Sequence, residues 1–189
     1  LSKALERKPK LLAVGYAANS LGTVNPVSKI IKMAHDNGTQ VYVDAVQYAP
    51  HGTIDVQKLD ADYLVSSAYK FFGPHVGILY GKKELLEKLF AYKVRPATNL
   101  LPGKFETGTQ NHEGIAGVLG TIEYFEWISK EFGAKYIEGL GEEGYAGRGL
   151  ELKKAMTAIR AYEYELSRAL LSTLESIPNL QIYGLTDEK

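Results

Sequence analysis

Two residues carry the clearest chemical signal. Asp44 closes the apolar run Val41-Tyr42-Val43, and Lys70 closes the stretch that starts at Tyr63 and passes through Ser67, Ala68 and Tyr69. An acidic residue that ends a buried strand lies at the carboxyl edge of the sheet, where open α/β folds bind ligands. With both stretches as parallel neighbours, a carboxylate and an amine open onto one side. Lys70 is followed by Phe71-Phe72-Gly73-Pro74, an apolar turn expected to desolvate it in part. A desolvated amine sheds its proton more readily and becomes a nucleophile, the usual preparation for a Schiff base. Each residue also has a plain structural reading, Asp44 as a cap for the next segment and Lys70 as a surface lysine with a buried stem.

Together they match the needs of one cofactor, pyridoxal 5'-phosphate. Its aldehyde requires a lysine, and its ring nitrogen requires a carboxylate to hold the proton that makes the ring an electron sink. Gln47 follows Asp44 by three residues and reaches the same crevice, while Ser67 and Tyr69 offer hydroxyls for the phosphate.

The elements that position these groups alternate between strand and helix. Leu11–Val14, Val41–Val43, Tyr63–Val65 and Val76–Tyr80 read as strands, the first suited to burial on both faces. Pro26 opens a helix with Val27, Ile30, Ile31 and Ala34 on one face, ended by Asn37-Gly38. This order predicts an α/β fold with a mostly parallel sheet flanked by helices. Further helices are expected over 83–92, 113–130 and a long stretch to about 175. Five glycines between Gly139 and Gly149 suggest a flexible connection. Leu180–Tyr183 reads as a strand opening a second, small α+β domain. The expected division is 1–138 for the large domain, 139–149 for the hinge and 150–189 for the start of the small domain.

Composition narrows the function. The 189 residues hold 22 Lys plus Arg against 22 Asp plus Glu, so the chain lacks the basic footprint of a nucleic-acid binder. No apolar run approaches the roughly 20 residues of a membrane span. Cysteine is absent, which excludes a thiol nucleophile within this segment and suits a reducing, cytoplasmic setting. Gly139-Leu-Gly141-Glu-Glu-Gly144 satisfies a dinucleotide-binding pattern, but a helix precedes it and two glutamates would repel phosphate. His35, His51, His75 and His112 lack the spacing of a helical metal site and read as surface or capping histidines. A nicotinamide-linked dehydrogenase lacks its glycine loop, and a non-catalytic α/β dimerisation or binding module remains the alternative to an enzyme.

Four ordered motifs resemble the class V aminotransferase and cysteine desulfurase family. They are Asn19-Ser-Leu-Gly-Thr-Val-Asn-Pro26, Val43-Asp44-Ala-Val-Gln47, Ser67-Ala-Tyr-Lys70-Phe-Phe-Gly-Pro74 and Phe105-Glu-Thr-Gly-Thr109-Gln-Asn111. The wording from Tyr69 to Pro74 and from Glu106 to Glu113 is nearest the cysteine desulfurase-like branch. The resemblance implies a fold-type I enzyme whose small-molecule substrate is an amino acid. In it Lys70 forms the Schiff base, Asp44 pairs with the pyridinium nitrogen, and Gln47 and Asn19 lie by the phenolic oxygen. Ser67 and Tyr69 would hold the phosphate, and Thr109 would reach the phosphate of the partner subunit in a homodimer. Tyr69 departs from the histidine that desulfurases typically carry before the Schiff-base lysine. The family's upstream phosphate turn, ring-stacking side chain, mobile-loop cysteine and carboxylate-binding arginine have no counterpart here, so the segment is expected to be internal to a longer chain.

Overall fold

The structure is a computed structural model that describes all residues except 138, 139, 141–143 and 187–189. A one-turn helix, α1 (Ser2–Leu5), precedes strand β1 (Leu11–Gly15). Helix α2 (Val27–His35), strand β2 (Gln40–Asp44), short helix α3 (Val56–Leu59) and strand β3 (Tyr63–Ser67) follow. Strand β4 (Gly77–Gly81), α4 (Lys83–Lys88), α5 (His112–Phe132) and α6 (Gly147–Glu175) complete the order.

The four strands pair in sequence order, with β1, β2 and β3 parallel and β4 antiparallel to β3. The reversal has a simple cause. The connection 68–76 is shorter than the dozen or so residues a parallel crossover needs. Val41 and Val43 of β2 and Ile31 and Ala34 of α2 are fully buried against one another, with Leu5, Val27 and Leu64 around them. Each large aliphatic side chain removed from water there stabilises the fold by roughly 1.5–3 kcal/mol. A second cluster joins α5 to α6 through Phe125, Ile128, Ala155, Ala158 and Ile159, and Phe71 packs against it.

Three local expectations change. β1 alternates between exposed and half-buried residues, because its only neighbour among the described strands is β2 and only Leu12 and Val14 meet the core. Leu180–Tyr183 forms no strand, since its backbone groups have no neighbouring strand to pair with. α6 begins at Gly147, inside the expected glycine-rich connection, while most of the Gly139–Gly144 pattern lies outside the described residues.

The end of the sheet opposite Asp44 is held by an ionic cluster. Asp62, just before β3, accepts from His35 Nε2 at 2.8 Å, from Val41 N at 2.7 Å and from Lys82 Nζ at 2.9 Å. One buried carboxylate thus ties α2, β2, β3 and the end of β4. Burial opposes its charge, but the hydrogen bonds from His35, Lys82 and Val41 outweigh that and hold its carboxyl below the usual range. Asp60 is lowered as well, chiefly by its hydrogen bond with Lys82. A carboxyl depressed in the folded state stabilises above its unfolded pKa near 4 and loses that contribution as pH falls through the folded value. Asp62→Asn is expected to cost roughly 2–3 kcal/mol at neutral pH. Urea unfolding at pH 7 and pH 3 should show the wild type losing more stability in acid than the variant does.

Candidate active site

The parallel register brings three strand ends to one edge. Asp44, the last residue of β2, is level with Gly15 of β1 and Val65 of β3. β3 continues to Ser67 and passes into a single 3-10 turn, Ala68–Phe71, which carries Tyr69 and Lys70. Asp44 and the Ser67–Lys70 segment therefore share an edge, as their positions at the ends of apolar runs predict.

Asp44 is exposed. Its Oδ1 accepts from Val46 N at 3.0 Å, and its Oδ2 has no partner among the described residues. The carboxylate thus shapes the turn after β2 with one oxygen and presents the other at the sheet edge.

Lys70 is half-buried, with its Nζ 5.3 Å from the centroid of the Tyr69 ring. The two phenylalanines after it do not jacket it as expected. Phe71 packs on Phe125, and Phe72 meets Tyr124 and Phe125 edge-on at 5.4 and 6.0 Å. They anchor the turn to α5 instead. Gly73 permits the close fit, since a Cβ there would lie 2.9 Å from both Ala68 O and Thr121 Oγ1.

The loop after β1 is tied to the same edge. Tyr16 N donates to Asp44 O at 2.8 Å, Asn25 Nδ2 donates to Gly15 O at 2.7 Å, and Asn25 N donates to Tyr16 O at 2.8 Å. Asn19 sits on this loop. It lines a cleft of about 920 Å³ together with Gln47, Tyr48, His51 and the α6 residues Arg160 and Glu163. His51 Nδ1 bonds Glu163 Oε2 at 2.9 Å across it. Asp44, Ser67, Tyr69, Lys70 and Thr109 are not among the residues lining that cleft. Of the seven candidates, only Asn19 and Gln47 line this cleft.

Thr109 is exposed on the loop between α4 and α5. Buried Lys104 fastens the loop by donating to Leu86 O and Glu87 O, each at 2.9 Å. Gly108 turns it with φ +84°, and Asn111 ends it by accepting from Gly114 N at the start of α5. No described contact joins Thr109 to the Asp44–Lys70 edge.

Several contacts around this edge were not anticipated from the sequence. Tyr16 stacks on Tyr48 at 3.9 Å between centroids, and burial, then Tyr48, push its phenol up to about 12, so it stays neutral. His75 stacks on Tyr69 at 5.0 Å. Neither pairing has a sequence signature. Asn25 did have one, inside the Asn19–Pro26 motif.

The group types present fit pyridoxal phosphate. A carboxylate oxygen without a partner, a half-buried amine, two hydroxyls and two amides are carried at one sheet edge and on the loops tied to it. Residues 1–148 match the family model for Aminotransferase class-V. The chain belongs to the class V aminotransferase family. Among curated relatives, a protein named cysteine desulfurase from Escherichia coli (strain UMN026) is 34% identical, across 97% of this chain and 42% of that one. One of the same name from Shigella flexneri matches at the same identity and coverage. The chain thus spans less than half the length of these class V relatives. The crystal structure of the cysteine desulfurase CsdA from Escherichia coli aligns with TM-score 0.57 and 28% identity, covering 92% of this chain and 40% of that one. The apo cysteine desulfurase from Thermococcus onnurineus gives TM-score 0.54 and 29% identity, over 79% and 44% of the two chains. The shared fold is that of fold-type I, with helices flanking a mostly parallel sheet. Among the described residues, no helix is long and apolar enough to cross a membrane.

Proposed function

We propose that the protein is a pyridoxal-phosphate-dependent enzyme that acts on an amino acid through Lys70, with cysteine the first substrate to test. The observation that carries this reading is the common sheet edge of Asp44 and the Ser67–Lys70 turn. Bound there, pyridoxal phosphate supplies an electron sink for the bond broken at the substrate Cα. Lys70 would hold the cofactor through its aldehyde carbon and would move the proton at the substrate Cα. The unpartnered Oδ2 of Asp44 accepts the ring N–H and keeps that proton in place. Gln47 and Asn19 donate their amide hydrogens to the phenolic oxygen, which sets the ring plane. Ser67 and Tyr69 donate hydroxyl hydrogens to the phosphate.

Thr109, which no described contact joins to this edge within one chain, would serve the phosphate of a second copy, making the working unit a homodimer. Residues 1–138 belong to the cofactor-binding domain, 139–149 to the connection, and 150–189 to the start of a smaller domain. The cytoplasm is the proposed location.

Desulfuration is favoured over transamination by the names of the relatives, and the assay separates them. Full-length protein supplied with cysteine should release sulfide and alanine in equal amounts. Keto acid formed without sulfide would assign a transaminase, and absence of any turnover over a panel of amino acids would remove the enzyme reading.

A further inference from the structure

Tyr69 stands beside Lys70 on an exposed turn, where a two-torsion side chain swings freely unless something holds its ring. The backbone supplies the arrangement. Ala68 N donates to Val76 O at 2.8 Å, which closes the loop and places residues 69 and 75 opposite each other just inside that pair. Gly73 N donates to Ala68 O at 2.9 Å, and Val76 N donates to Pro74 O at 2.8 Å, so the loop is fixed within itself. His75 then lies on the Tyr69 ring at 5.0 Å with 20° between planes. Lys70 Nζ sits 5.3 Å from the centroid of that ring. The imidazole of His75 and the amine of Lys70 are thus both set beside the plane of the Tyr69 phenol.

We propose that His75 is a positioning residue for cofactor binding. Its ring fixes the Tyr69 plane, so that the phenol hydrogen is aimed at the phosphate before the cofactor arrives. This rests on the pyridoxal-phosphate reading above and extends it to a residue that touches neither the reacting atoms nor the phosphate. Preorganisation of one hydrogen bond to an anion is the effect at stake.

The test is a pyridoxal-phosphate titration of the full-length apoprotein, followed by the change in cofactor absorbance. His75→Ala should raise the dissociation constant about tenfold, because the phenol must then be ordered on binding. His75→Phe keeps a stacking ring and should stay within about twofold of wild type. In a Tyr69→Phe background, His75→Ala should add no more than about twofold, since the hydroxyl it orients is gone. Wild-type affinity in His75→Ala overturns the assignment. So does His75→Phe binding as weakly as His75→Ala, which would make the imidazole itself the ligand. A wild-type protein that binds no pyridoxal phosphate overturns the functional reading together with this one, whereas the variant outcomes bear on His75 alone.

Discussion

Lys70→Ala is expected to lower turnover by about 10³-fold or more, with the fold intact and pyridoxal phosphate held only loosely. Removing the amine deletes both the anchor for the aldehyde and the base at Cα, and a single positioned acid–base group alone accounts for about 10²–10⁴. Affinity drops too, because the remaining contacts are hydrogen bonds and one ion pair. The side chain is half-buried and makes no ion pair among the described residues, so alanine should cost little stability. Steady-state kinetics with thermal unfolding of the same samples checks both halves. A lysine that merely covers the turn with its stem would leave turnover within a few-fold of wild type.

Asp44→Asn separates the two readings of that carboxylate. An asparagine at the end of β2 still accepts from Val46 N, and Asn caps turns about as well as Asp. If Asp44 only shapes the turn, the substitution is nearly neutral. On the present account the second oxygen accepts a proton-bearing ring nitrogen, and the amide offers N–H where a lone pair is required. Turnover should then fall about 10²–10³-fold, the scale of losing one preorganised electrostatic contact. Cofactor should still bind, with an altered absorbance and an affinity within roughly tenfold. Kinetics and absorbance on one preparation distinguish the outcomes.

How much of this was readable beforehand depends on the kind of interaction. Asp44 was visible because a strand end leaves a mark in the chain, a polar residue after an apolar run, and Lys70 because it lies in the short turn that follows the next such strand. The parallel edge followed from strands spaced by helices. The antiparallel direction of β4 was not anticipated, although the short connection 68–76 is what imposes it. Other features left no such trace. The Asp62 cluster joins residues from α2, β3 and β4 that are distant in sequence, and only the tertiary fold makes them neighbours. The stack of His75 on Tyr69 depends on one backbone hydrogen bond closing a loop. Phe71 and Phe72 were assigned to desolvating Lys70, because adjacency in sequence suggested contact. Their rings turn to α5, where more apolar surface is available. Thr109 was placed by resemblance alone, and within one chain no described contact joins it to the edge.

The central claim is that Lys70 is the residue joined to pyridoxal phosphate. The most direct measurement treats the full-length protein with pyridoxal phosphate, reduces it with borohydride and maps the modified peptide by mass spectrometry. One pyridoxyl group is expected, on the peptide containing Lys70, and none in Lys70→Ala. A reduced cofactor on any other lysine, or a wild-type protein that carries none, would contradict it.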